Sequence, residues 1–376
     1  MTSLSRLILD RIHAQGPITF AAFMELALYH PDLGYYATAG RRSGRSGDFY
    51  TSVDVSPLFG EMLSEQIAEM ARVIGPAPFD LVEAGAGNGR LSRDVLDALQ
   101  ARAPDVYDRV RLHLVERSAA ARAAQAEVLA PHASKLASSA ADVPSRINGI
   151  VFANELLDAL PTHVVVGRDE GLREVFVDAH GDELIEREMA PSTPEIERYL
   201  ERAGVRLRPG WRGEVNMDAI EWMRRIAGAL ERGFLMLVDY GHEAANLYSA
   251  SHAEGTLASF TAHVVETHEP GGRAAWLRDP GSSDITAHVD FTSVRRAAEA
   301  EGMTTICLVD QMHFLLGLGI DRHVADEGPG RDEMMRRLAL KTLLVPGGLG
   351  TSHQVLIMGK DVGRPALRGC AKSSTS

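Results

Sequence analysis

Apolar positions along the chain fall into three textures. Leu4, Leu7, Ile8 and Ile12 recur at helical spacing, as do Phe20, Phe23, Met24 and Leu28, which predicts two amphipathic helices. YHPDLGYYATAGRRSGRSGDFYTS then breaks into turn formers, and Pro57 to Ile74 returns to helical periodicity. From Phe79 short apolar runs alternate with helical patterns. FDLVEAG, VRLHLVE, GIVFANE and GFLMLVDYG read as strands, and Leu91 to Gln100, Ala119 to Leu129 and Met217 to Leu230 as helices. MTTICLVDQ and SHQVLIMGK are two further strands around a helical segment at Met334 to Leu344. Strands alternating with helices at this spacing imply an α/β fold, a mainly parallel Rossmann-like sheet with helices on both faces.

Two stretches interrupt the alternation. Val164 to Met189 reads as a β-meander with turns at Asp169-Glu170-Gly171 and Gly181-Asp182. Ala244 to Asp284 is polar and rich in His, Gly and Pro, the texture of a mobile or substrate-facing insertion. The expected organisation is an N-terminal helical cap or lid over 1–75 and a core over 76–362. The core carries insertions at about 164–210 and 244–284, and a disordered tail follows over 363–376.

Charge and composition narrow the function classes. The 376 residues include 39 Lys and Arg against 51 Asp and Glu, a net charge of −12. Such a field argues against a nucleic-acid partner, which needs a clustered basic surface, and leaves open a basic protein substrate. The two cysteines, Cys307 in an apolar run and Cys370 in a polar tail, suggest no disulfide and a reducing cytoplasmic location. The N-terminus carries charges through its apolar stretch and reads as a helix rather than a secretion signal. No apolar stretch reaches the roughly 18 residues a membrane span needs, so no membrane insertion is expected. The apolar helix from Pro57 to Ile74 is a candidate homodimer face.

The sharpest local signal is Leu81-Val82-Glu83-Ala84-Gly85-Ala86-Gly87-Asn88-Gly89-Arg90-Leu91, which closes a strand and opens a helix. Gly85, Gly87 and Gly89 let the backbone turn tightly and approach a ligand, and the helix start offers unbonded N–H groups. The spacing is G-x-G-x-G rather than the dinucleotide G-x-G-x-x-G. A carboxylate at Glu83 would repel a pyrophosphate but can accept from the ammonium of S-adenosyl-L-methionine (SAM), which carries no phosphate. The combination is a methyltransferase signature; the alternative is a tight turn with no ligand. Glu116, at the end of the next strand, is placed to take both ribose hydroxyls, unless it is a solvated acid after a strand. Asp142, where a third strand should end, is a candidate contact for the adenine amino group or a bare turn acid.

With these residues in place, the chain resembles the MidA family of SAM-dependent methyltransferases. The resemblance runs through ALYHPDLGYY, SGDFYTSVDVSPLFGE, VEAGAGNGRL, ANELLDALP, EVNMDAIEWM, LVDYG, GTLASFTAH, DITAHVDF and FLLGLGI. Eukaryotic members act in mitochondria as protein-arginine methyltransferases that assist assembly of respiratory complex I. The resemblance therefore implies SAM as cofactor and an arginine of a protein, such as a respiratory-complex subunit, as acceptor.

On that reading Asn154 and Glu155 arrive at the end of the fourth strand, where open α/β sheets place their ligands. Glu155 is the candidate clamp for a guanidinium, with Asn154 orienting substrate or cofactor and Asp158 assisting from the same helical face. The bland alternative is that these acids cap a helix. His288 is a candidate proton relay, or it merely packs beside a helix capped by Asp290 or Thr292. Asp48, Tyr50 and Thr51 belong to a segment that can fold over the cofactor, and Tyr35 and Tyr36 can line a substrate channel. His242, His252, His263 and His268 have no Cys/His spacing that fits zinc, so no metal is expected. Two other functions compete: a small-metabolite N- or O-methyltransferase, and an assembly factor that binds SAM without catalysis. An NAD oxidoreductase is disfavoured by the glycine spacing and by Glu83.

Overall fold

The computed structural model describes residues 2–38, 56–261, 264–267, 274–324, 340, 342–344 and 352–371. The chain folds as two compact units, each assembled from separate segments. One comprises Thr51–Leu156, Arg224–Tyr240 and Ala298–Ser376; the other Met1–Tyr50, Leu157–Met223 and Gly241–Ala297.

The first, the sheet unit, is built on β1 (Phe79–Ala84), β2 (Val110–Val115), β3 (Leu136–Ala140), β4 (Ile147–Asn154), β5 (Leu230–His242), β6 (Thr304–Asp310) and β7 (His353–Lys360). Their order across the sheet is β6-β7-β5-β4-β1-β2-β3, with β1 to β5 parallel and β7 antiparallel to both β5 and β6. All six residues of β1 are buried, which is why it reads as an apolar run rather than an alternation. Chain order reverses at β1, whose neighbours are β2 and β4, and such a switch opens a crevice at the carboxyl ends of the strands. The register aligns those ends: Ala84 lies opposite both Val115 and Ala153, Asn154 opposite Val238, and Tyr240 opposite His353.

Helix α1 (Leu58–Ile74) packs into the core of this unit. It buries Leu58, Phe59, Met62, Leu63, Ile67 and Met70, each contributing about 1.5–3 kcal/mol. That corrects two expectations: α1 belongs with the sheet rather than with an N-terminal cap, and its apolar face is occupied internally instead of offering a dimer surface. The tail is likewise ordered as far as Ala371. Leu367 and Gly369 are buried, Gly369 N–H donates to Gln66 Oε1 of α1 at 3.1 Å, and Cys370 is disulfide-bonded to Cys307 on β6. The cysteines were expected to be free; the tail's return across α1 brings their Cα atoms to 5.7 Å. Most of the helical segment expected at Met334 to Leu344 lies outside the described residues.

The second unit holds the N-terminal helices Ser3–Gln15 and Phe20–Tyr29 and the meander His163–Arg168, Gly171–His180 and Glu183–Met189. Two-residue turns at Asp169-Glu170 and Gly181-Asp182 join its strands. The region after Ala244 is more regular than its composition suggests. Ala258–Thr261 pairs with Val264–Thr267 and with Asp284–Thr286 in a small antiparallel sheet, and Trp276 is fully buried. Among the described residues no helix is long and apolar enough to cross a membrane.

Candidate active site

The glycine loop joins β1 to helix α2 (Arg90–Arg102) through three left-handed residues, Gly85 at φ 70°, Gly87 at φ 50° and Gly89 at φ 83°. Among the described residues nothing stands within 4 Å of where a Cβ of Gly87 would be, so they leave open space at this turn. The loop is fixed from outside itself. Gly87 N–H donates to Glu116 Oε2 at 2.9 Å, and Gly87 C=O accepts from Gln125 Nε2 at 2.7 Å. Gln125 is fully buried and also accepts from Ser139 of β3 at 2.6 Å. Nothing in the motif points to this glutamine; its one sequence signal is a lone amide on an alanine-rich helix.

Glu83 lies one residue from the end of β1 and is buried, its Oε2 accepting from both the N–H and the hydroxyl of Ser92 in α2. It thus anchors the start of the helix. Burial pushes its carboxyl up to about 8, against the pull of the Ser92 hydrogen bonds. Glu116, half-buried at the end of β2, accepts from Gly87 N–H and from Ser118 N–H at 2.7 Å, and retains lone pairs for further donors. Asp142 follows β3 as an exposed side chain with Arg225 at 4.0 Å.

At the end of β4, Glu155 adopts φ 50°, a left-handed conformation rare outside glycine. The reason lies across the sheet, where Glu155 N–H donates to Val238 C=O at 2.8 Å and Leu156 N–H to Asp239 Oδ2 at 3.1 Å. Those amides are drawn toward β5, so residues 155–160 form bends and a turn rather than the expected helix. Glu155 and Asp158 therefore do not share a helical face, and helix capping does not explain them. The Glu155 side chain is 6% exposed, accepts from Asn154 Nδ2 at 3.1 Å and places Oε1 3.4 Å from Nε2 of fully buried His353. The His353 ring packs against Tyr240 with centroids 3.8 Å apart. Asp239, Tyr240 and His353 were assigned no role from sequence, because only the β5–β7 register sets them beside Glu155. Asn154 Oδ1 is buried and, among the described residues, has no hydrogen-bond partner.

The remaining candidates stand in the second unit or outside the described residues. Asp158 is buried, its carbonyl accepting from Ala287 N–H at 2.9 Å. Tyr36 donates to Asp284 Oδ1 at 2.9 Å and packs on Tyr29 and Tyr35. Burial first, then the charge of Asp284, raises the Tyr36 hydroxyl well above its ordinary value, so it stays a neutral donor. Asp290 caps the helix Phe291–Ala300 through the N–H groups of Thr292 and Ser293 at 3.0 and 3.1 Å. His288 gathers with His242 and His252. Asp48, Tyr50 and Thr51 lie outside the described residues.

The open Gly87 turn, the acids at the ends of β1 and β2 and the buried acceptor of Asn154 together fit a ligand with cationic, hydroxyl and amide-type donors. Comparison with known proteins agrees. A family model described as S-adenosyl-L-methionine-dependent methyltransferase matches residues 62–309. The Drosophila melanogaster homologue of protein arginine methyltransferase NDUFAF7 is 30% identical, with 95% of this chain and 84% of that protein covered. The Mus musculus protein is 29% identical, over 96% and 81%. A crystal structure from Burkholderia thailandensis, of a methyl transferase candidate bound to S-adenosyl-homocysteine, superposes with a TM-score of 0.88 at 28% identity. It covers 98% of this chain and 95% of its own. Both named relatives are described as mitochondrial, which overturns the cytoplasmic location read from the cysteine count.

Proposed function

We propose that this chain, which belongs to the S-adenosyl-L-methionine-dependent methyltransferase family, transfers the methyl group of its cofactor to a guanidinium nitrogen of arginine in a protein substrate. The observation that carries the acceptor is Glu155: a buried carboxylate, held in a left-handed turn beside the glycine loop, with an amide and an imidazole against it. The names of the relatives support the same acceptor.

SAM supplies, when bound, an electrophilic methyl group on a sulfonium. Gly87 would leave room for the cofactor, Glu116 would hold the ribose hydroxyls, and Glu83 would hold the amino-acid end. Asp142, exposed beyond β3, is the candidate for the adenine edge. Glu155 accepts two N–H groups of the planar guanidinium, which fixes its plane and turns the remaining nitrogen toward the methyl. Asn154 Oδ1 accepts a further donor. The nitrogen must lose a proton as it gains the methyl group, and the Glu155–His353 contact provides the acceptor pair for it. This assigns the proton to His353 rather than to His288.

Calorimetry with S-adenosylhomocysteine on the wild-type chain and on Glu83→Ala tests the cofactor site. Transfer of labelled methyl to arginine-bearing protein, compared with the same protein after arginine blocking, tests the acceptor. Label that persists after blocking would replace the arginine reading with another nucleophile.

A further inference from the structure

Three histidines of the second unit converge although no two lie within a spacing that suggests a site. His242 is the last residue of β5, where Gly241 and His242 run parallel to Val289 and Asp290. That pairing brings His242 and His288 side by side, with ring centroids 5.4 Å apart. His252 ends the 3-10 turn Ala250–His252 and lies 4.9 Å from the His242 ring and 6.0 Å from that of His288. One nitrogen from each ring lies within 4.8 Å of the others, and all three side chains are half-buried.

The surroundings hold the segments that carry these rings in place. The next residue after His252 is tied down, since Ala253 C=O accepts from Arg212 N–H at 2.8 Å. His288 N–H donates to Thr256 Oγ1 at 3.0 Å, and that hydroxyl donates at 2.9 Å to Glu214, which is itself buried. Nδ1 of His252 lies 3.0 Å from the Asn246 carbonyl oxygen, so Nδ1 carries the proton and Nε2 presents its lone pair. A carbonyl on the far nitrogen is the partner that orients metal-bound imidazoles.

We propose that His242, His252 and His288 form a binding site for a first-row divalent transition cation of the zinc class, with the fourth position left to water. Three neutral nitrogens match that class and not magnesium or calcium, which take oxygen ligands. A tetrahedral zinc–nitrogen distance of about 2.0–2.1 Å places donor nitrogens about 3.3 Å apart, so modest side-chain rotation closes the cluster on the ion. The ion would pin the end of β5, the 250–252 turn and the Thr286–Val289 link to one another. A ligating His288 has its lone pair committed and cannot also accept the reaction's proton.

The test uses the full-length, tag-free chain, stripped with a chelator and titrated with Co²⁺ as the spectroscopic probe and then with Zn²⁺. The expected result is one Co²⁺ per chain with tetrahedral d–d absorption, displaced by Zn²⁺, and a thermal transition raised by either metal. His252→Ala, on a half-exposed turn, should keep its fold and weaken binding by more than the roughly 10–100-fold that loss of an outer-sphere partner costs. His288→Ala should do the same, while His313→Ala in the sheet unit leaves binding intact. If His288→Ala fails to fold, His252→Ala decides. A folded wild-type chain without cobalt absorption overturns the site, and so does absorption that survives His252→Ala. Methyl transfer plays no part in these readouts, so either outcome leaves the proposed reaction standing.

Discussion

The carboxyl edge of the sheet unit and the interior of the second unit both collect buried polar side chains, but they complete them differently. In the second unit local donors engage three of the buried acids. Asp290 accepts from Thr292 N–H, Ser293 N–H and the Ser293 hydroxyl, Glu214 from Thr256, and Glu174 from His163 and Ser192. These contacts cap helices and tie loops. Along the sheet edge, among the described residues, Asn154 Oδ1 is buried without a partner, Gly87 faces open space and Glu155 is held at a left-handed φ. Closed polar groups stabilise a fold, whereas a buried acceptor left open, such as Asn154 Oδ1, is available to a ligand.

The largest expected break falls on the sheet unit alone. Cys307 and Cys370 are 63 residues apart, and opening a loop of that size costs about 4 kcal/mol. Denaturant titration with and without reductant should show that loss, and Cys307→Ser should reproduce it. Unchanged midpoints would mean the tail is held by its α1 contacts alone.

Glu155→Gln should lower kcat for arginine methylation by about 10²–10³ while leaving S-adenosylhomocysteine affinity and the unfolding midpoint in place. Its counterpart in the second unit, Glu214→Ala, should behave oppositely. Loss of about 1–3 kcal/mol of stability is expected there, from half-buried Thr256 donors left unmatched, with cofactor affinity retained. If Glu155→Gln destabilised the fold as much as Glu214→Ala, the contrast between the two regions would collapse.

A finer comparison pairs two glycines that share positive φ and open surroundings, Gly87 at 50° and Gly210 at 85°. Alanine at either should cost about 1–2 kcal/mol of backbone strain. Only Gly87→Ala should also weaken S-adenosylhomocysteine binding in calorimetry, because only its methyl enters the proposed cofactor space.

The most gradual effect is a slope in pH. Burial holds Glu83 at about 8 in the folded chain against an ordinary 4.5, so the folded state keeps a proton that the unfolded state releases. Stability contributed by this group is therefore full below pH 4.5 and declines as pH rises toward 8, by up to about 1.4 kcal/mol per unit. Urea midpoints across that window should flatten in Glu83→Gln relative to wild type. In the wild type, binding a cationic ammonium near Glu83 should also release a proton below pH 8, measurable as a buffer-dependent heat.

The strands and the glycine loop were legible because their signals are local. An apolar run such as FDLVEA encodes a strand buried on both faces, and three glycines before α2 encode a turn that only glycine adopts easily. The meander was legible for the same reason, from alternation punctuated by Asp-Glu and Gly-Asp turns. Local reading misled at Glu155 to Asp158, where acids after a strand look like a helix start. The amides of Glu155 and Leu156 instead bind Val238 and Asp239, and nothing in the four residues themselves reveals that competition.

What the chain determined by itself is thus the strands, their faces and the glycine loop, all written in periodicities of a few residues. Tertiary structure alone decided that His353 meets Glu155, that Cys370 meets Cys307, and that His242, His252 and His288 meet at all. Those meetings depend on sheet order and strand register, which set distances between residues far apart in sequence. A pattern with a period of two or 3.6 residues fixes which way a side chain faces and carries no information about its distant neighbour.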